Sequence, residues 1–242
     1  MRKLLFLLLA LPVTVFANTE VKLDHAPVNV HDNESLQRGA RTFVNYCLNC
    51  HSAGYMRYNR MQDIGLTEAQ IKENLLYAAD KPGELMKVSM PVKEAKEWFG
   101  TAPPDLTVIA RSRGADWVYT YLRSFYRDSS RPTGWNNTVF DKVSMPHVLQ
   151  ELQGQMAPVY KSETDHEGRQ HEVIDYLELV KPGKMTQAEY DATVSDLVNY
   201  LAWMGEPAQI QRMNTGLIVI LFLGVFFLVA FYLKKEYWKD IH

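Results

Sequence analysis

Cysteine is scarce in this 242-residue chain: there are two, Cys47 and Cys50, separated by two residues. A structural zinc site built from two knuckles needs four ligands, and no cysteine remains for the second knuckle. A disulfide between the two would close so small a loop that it would add little stability. Strand-like alternation of apolar and polar residues is also scarce, so the reading is of helices joined by long loops. No internal repeat or low-complexity tract stands out. Basic residues do not exceed acidic ones, 26 Lys and Arg against 28 Asp and Glu. Without a basic excess or a matching motif, nucleic acid is not expected as a partner.

The two ends carry the apolar runs. Arg2 and Lys3 precede an apolar stretch from Leu4 to Phe16, with small residues near Ala17. That is the pattern of a secretory signal peptide, residues 1–17, with the mature chain starting near Asn18. The run is short for an uncleaved membrane anchor. The second stretch, GLIVILFLGVFFLVAFYL from Gly216 to Leu233, holds no charge and is long enough for one transmembrane helix, assigned to 212–234. Lys234, Lys235 and Lys239 follow it, and Arg212 is the one nearby positive charge before it. The positive-inside rule then puts the tail, 235–242, in the cytoplasm and residues 18–211 outside. Those roughly 190 residues suffice for one domain with its own core. That part is mildly acidic, which suits a cationic partner and equally suits plain solubility.

Asn33 is a candidate cap for a helix bearing Leu36, Ala40, Phe43, Val44 and Cys47 at helical spacing. Thr67 with Gln70, and Thr186 with Glu189, read as capping boxes. The second opens a helix striped by Tyr190, Val194, Leu197, Val198 and Leu201 and closed by Gly205 and Pro207. "ADWVYTYLRSFY" reads as another helix, with Trp117, Val118, Tyr121, Leu122 and Phe125 on one face. From Arg131 to about Pro182, six prolines and glycines break any long element. So long an irregular stretch is usually functional or wrapped around something.

Cys47 and Cys50 belong to "CLNCH", with His51 directly behind the second thiol. Positions i, i+3 and i+4 of a helical turn share a side, so all three side chains can face one flat cofactor. Two thiols can bind the vinyl groups of a haem while the imidazole reaches its iron, which is why C-x-x-C-H marks c-type haem attachment. A thioredoxin-like pair would need a βαβ context, and here an amphipathic helix comes first. Export agrees with haem, since c-type haem is attached outside the cytoplasm. One motif without a second argues against a two-haem peroxidase.

A thioether opposite the histidine would favour Fe(II) and raise the potential, which suits electron transfer. Chain distance and helix membership leave Met86, Met90, Met145, Met156 and Met185 as candidates. Met156 stands out within "QGQMAPVY", where Gly154 and Pro158 permit a loop that turns one side chain inward. His147, His166 and His171 remain alternative ligands.

The chain resembles the cytochrome c1 family in the order of its signal peptide, "CLNCHSAGYMRY", "APPDLTVIARSR", "PTGW", "GQMAPVY", capped terminal helix and anchor. These proteins are the haem-c subunits of the ubiquinol–cytochrome c oxidoreductase complex of respiratory membranes, and the resemblance is to the bacterial type. The resemblance implies an all-α fold, a class I cytochrome c-like haem domain with long inserted loops plus one C-terminal transmembrane helix. The first and last helices of the domain would cross, with Gly39 and Phe43 against Leu197 and Leu201. It implies one covalent haem c held by Cys47 and Cys50, with His51 and Met156 as iron ligands. It further puts Arg113 near a haem propionate and Pro104 in the haem crevice. Trp117 stands where relatives often carry tyrosine, so no role needing a phenol is assigned there.

The implied function is relay of single electrons from a Rieske iron–sulfur protein to a soluble periplasmic cytochrome c. The chain would not be an enzyme alone but an electron-carrier subunit of a dimeric, proton-translocating complex, beside cytochrome b in the inner-membrane bilayer. The rival readings are a haem enzyme with an open sixth position and a stand-alone anchored cytochrome serving an oxidase.

Overall fold

The computed structural model describes residues 21–240 apart from 89 and 165–167. The expected signal peptide and His166 lie outside the described residues. In chain order the elements are α1 (Asn33–Thr42), β1 (Ala53–Arg57), α2 (Glu68–Asn74), β2 (Leu85–Met86) and α3 (Val92–Phe99). There follow α4 (Ile109–Ser112), α5 (Ala115–Arg123), β3 (Phe125–Arg127), β4 (Trp135–Asn137) and α6 (Gln150–Gln153). The last are β5 (Gly154–Thr164), β6 (Gln170–Pro182), α7 (Gln187–Gly205) and α8 (Gln209–Tyr237). The strands form three separate antiparallel pairs, β1 with β2, β3 with β4 and β5 with β6. Helices supply most of the core, as the sequence reading expects.

Local chemistry sets the helix starts. The cap of α1 is Asp32, one residue before the expected Asn33: its carboxylate accepts from Ser35 N at 3.0 Å. Both capping boxes form, at Thr67 with Gln70 before α2 and at Thr186 with Glu189 before α7. Helix α5 ends at Arg123, so Phe125, expected on its apolar face, lies in β3 opposite Asn137.

The expected crossing of α1 and α7 is present. A Cβ on Gly39 would stand 2.1 Å from the Asp196 carbonyl oxygen, so the two backbones meet where only glycine fits. Phe43 packs on Tyr200 at 5.6 Å between ring centroids, and Arg38 forks onto Asp196 with bonds of 2.6 and 3.0 Å. Leu197 and Leu201 are buried beside this crossing.

Residues 131–182 are less irregular than expected. Their second half is the long hairpin of β5 and β6, with register shifts at Gln155/Met156 and Val159/Tyr160. Along most of its length the ribbon exposes both faces, including Tyr160, Tyr176, Leu179 and Val180. A strand wet on both faces needs no alternation, and Pro158 and the bulges blur what remains.

Helix α8 runs for 29 residues, reaches a mean hydropathy of 2.9 over its most apolar 18, and buries none of them within the chain. At ~1.5 Å per residue it exceeds the ~30 Å hydrocarbon thickness of a bilayer. Where α7 passes into α8, Glu206 pairs with Arg111 of α4 at 3.2 Å and with Arg212 of α8 at 2.5 Å. Gly205 lets the Arg111 stem pass close, 3.1 Å from where its Cβ would be.

Gly39→Ala forces α1 from α7 and should cost about 2 kcal/mol or more, lowering Tm by roughly 4–8 °C. Thermal unfolding of the detergent-solubilised chain, followed by circular dichroism, measures it. An unchanged midpoint would mean the close approach is not tight.

Candidate functional site

Helix α1 does not run straight into the cysteines. Residues Phe43–Cys47 form a wide π turn, in which Leu48 N reaches back five residues to the Phe43 carbonyl at 3.0 Å. A tight turn follows: Cys50 N and His51 N both donate to the Cys47 carbonyl, at 3.1 and 2.8 Å. The result is the arrangement expected from the spacing, with Cys47, Cys50 and His51 lining one cavity of about 400 Å³.

The APPDLT segment is fastened to the chain just after His51. Leu106 N donates to the Ser52 carbonyl at 2.8 Å, and Gly54 N donates to an Asp105 carboxylate oxygen at 2.6 Å. The other Asp105 oxygen accepts from Thr107 N at 2.8 Å and from the Thr107 hydroxyl at 2.5 Å. That hydroxyl in turn accepts from Tyr55 N at 3.3 Å. The fastened loop presents the Pro104 carbonyl 2.8 Å from His51 Nδ1. Since a carbonyl can only accept, Nδ1 carries the proton, and the lone pair of Nε2 is left for a ligand. His51 is 8% exposed, and burial lowers its pKa, so the ring is neutral as a metal ligand must be. Burial also pushes the Cys47 thiol up to about 12.

The remaining walls are apolar. Val118 and Leu122 of α5, Leu197 and Leu201 of α7, and Val143, Pro146 and Val148 line the cavity. Pro104 and Arg113, both singled out from the sequence, line it too. Arg113 is exposed at the end of α4, with its guanidinium 5.4 Å over the Trp117 ring. Among the described residues it forms no ion pair.

The sulfur-bearing candidates divide sharply. Met156 is buried at the start of β5, paired in register with Leu179, and does not line the cavity. Met145 does, and it is the one methionine to do so among the described residues. Met86 and Met185 are engaged elsewhere, near the hydroxyls of Tyr200 and Thr193. Met145 accepts a hydrogen bond from the Tyr121 hydroxyl at 3.4 Å. Its loop is anchored by His147, which stacks on Phe125 at 4.9 Å and meets Trp135 edge-on at 5.1 Å. His147 is therefore a buried packing residue, and His171 lies exposed on β6. Met145 is among the candidates of the sequence reading, and the signal beside it is Pro146, which directly follows it.

The donor set fits a haem: two thiols and a free imidazole nitrogen on one segment, a thioether on another, apolar walls and a cation at the rim. Fold and site together define a c-type cytochrome with a membrane-spanning C-terminal helix. The sequence pattern of the Cytochrome C1 family matches residues 24–241. The chain is 47% identical to cytochrome c1 of Allochromatium vinosum and 51% identical to the ammonia monooxygenase gamma subunit of Nitrosomonas europaea, in each case over the whole of both chains. It is 27% identical to cytochrome c1 of Rhodospirillum rubrum over 87% of this chain and 83% of that one. The chain belongs to the cytochrome c1 family. Members carry covalently bound haem c and transfer electrons as membrane-anchored subunits of the cytochrome bc1 complex.

Asp105→Ala removes one acceptor from three donors and should cost about 2 kcal/mol of stability. Chaotrope unfolding of the haem-loaded chain measures the loss. Haem attachment, read as covalent haem stain, should persist because both thiols remain.

Proposed function

We propose that the chain relays single electrons from a Rieske iron–sulfur protein to a soluble cytochrome c. Thioethers from Cys47 and Cys50 hold the haem, with His51 Nε2 and the Met145 sulfur as iron ligands. When bound, the haem supplies a one-electron couple. The observation that carries this reading is that one cavity gathers both thiols, a neutral imidazole and a single methionine. Met145 takes the place that the resemblance gave to Met156.

The chain's own groups supply positioning. The Pro104 carbonyl fixes the His51 tautomer and ring plane, and the Asp105 fastenings fix Pro104. Apolar walls from α5 and α7 exclude water, so little reorganisation accompanies a change of charge. At the rim, Arg113 is free to fork onto a propionate carboxylate. In this reading residues 1–17 direct export, α8 is the single span beside cytochrome b, and the haem domain faces the periplasm. Lys234, Lys235 and Lys239 then lie on the cytoplasmic side. The carrier does no bond chemistry itself, and catalysis belongs to a dimeric complex.

The name of the Nitrosomonas europaea relative supports a second reading, in which such a carrier serves a monooxygenase. A tag on the C-terminus, gentle solubilisation and added ubiquinol separate the two. Fast haem reduction, abolished by a quinol-site inhibitor, with cytochrome b and a Rieske protein co-isolated, is the expected result. A haem that quinol cannot reduce, isolated with a monooxygenase, would overturn the bc1 assignment.

The ligand assignment has its own test. Met145→Ala should lower the midpoint potential by on the order of 100 mV, a fraction of the ≈ 0.8 V that axial ligands span, and let carbon monoxide bind the reduced haem. Met156→Ala should change neither. The reverse pattern would return the ligand to Met156.

A further inference from the structure

Tyr121 is the polar group that the cavity's apolar wall least requires. It sits mid-face on α5, lines the cavity, and aims its hydroxyl at the Met145 sulfur, 3.4 Å away. Packing leaves the ring no freedom. It stacks on Trp117 at 4.8 Å with the planes 11° apart, and Phe125 meets it edge-on at 5.1 Å. Its own backbone carbonyl accepts from Asn137 Nδ2 at 2.8 Å, which ties this end of α5 to β4. No other hydrogen bond of the hydroxyl is present among the described residues.

We propose that Tyr121 is a positioning residue that tunes the electron carrier: its phenol holds the Met145 thioether and raises the reduction potential. The inference rests on Met145 being the iron ligand. A thioether sulfur has two lone pairs; iron takes one, and the other accepts from the phenol. A donor on that second pair withdraws electron density from sulfur. Fe(III) needs that density more than Fe(II), so the bond favours the reduced state. Burial pushes the Tyr121 pKa well up, so the hydroxyl keeps its proton throughout the physiological range. The phenol also opposes rotation of the Met145 side chain away from the cavity. The sequence reading assigned no phenol at Trp117; one stands a helical turn later, on the same face.

The test is Tyr121→Phe in the full-length, membrane-extracted protein, which keeps the ring stack and removes one oxygen. The expected result is a lowered midpoint potential, about threefold in the Fe(II)/Fe(III) ratio at fixed ambient potential. At ~59 mV per tenfold for one electron that is about 28 mV. Imidazole added to the oxidised form should also bind faster, while circular dichroism and haem content stay unchanged. In a Met145→Ala background, Tyr121→Phe should shift nothing further. If Met145→Ala moves the potential and Tyr121→Phe does not, the tuning role is overturned and the ligand assignment stands. If Met145→Ala itself leaves the potential in place, the ligand assignment falls and this inference with it. Should Tyr121→Phe fail to accumulate haem, Tyr121→Leu also lacks the hydroxyl and carries the same expectations.

Discussion

A buried imidazole offers one nitrogen to a metal only when the other is committed, and His51 Nδ1 is committed to the Pro104 carbonyl. Much of the structure around the cavity serves that bond. The carbonyl is held by two successive prolines and by the fastening of Asp105, Leu106 and Thr107 to residues 52–55. Hydrogen bonds to a carboxylate are worth roughly 1.5–3 kcal/mol each, more than neutral ones, so Asp105 is the stiffest point of the loop. A Cβ at position 54 would stand 2.9 Å from that carboxylate, so Gly54 permits the close approach.

The other side of the cavity is supported differently. Around Met145 the support is aromatic: Trp117, Tyr121, Phe125, His147 and Trp135 form a continuous run of stacked and edge-on rings. Such pairs add about 0.5–1.5 kcal/mol beyond their buried area, less than the charged bonds opposite, but there are several and each fixes the angle of its neighbour. One wall is thus set by backbone polarity and the other by shape. A ligand that must keep one tautomer sits on the first, and a flexible thioether sits on the second.

What the sequence revealed follows the range over which each signal acts. The cysteines, the histidine and both capping boxes are local: their partners lie within four residues, so spacing alone reveals them. The crossing of α1 and α7 brings together Gly39 and Asp196, far apart in the chain, and only the family resemblance anticipated it. Met145 and Met156 each have a proline close behind them, Pro146 and Pro158, and no local pattern says which one faces the cavity. That depends on α5 ending at Arg123, on β3 pairing with β4, and on His147 stacking against Phe125. The hairpin of β5 and β6 escaped notice for a related reason, since a ribbon wet on both faces leaves no periodic trace. Asp105 was legible as part of a motif, but its three acceptor bonds were not.

The double pairing of Glu206 with Arg111 and Arg212 has a mechanical meaning. Exposed ion pairs of this kind contribute little to stability, about 0–1 kcal/mol each. They nevertheless join three elements at one point: the helix before Arg113, the end of the helix lining the cavity, and the start of the apolar span. The joint between head and stalk is therefore bridged by side chains from both of its sides. A tilt of the apolar span relative to the cavity-lining helix would have to break at least one of these pairs.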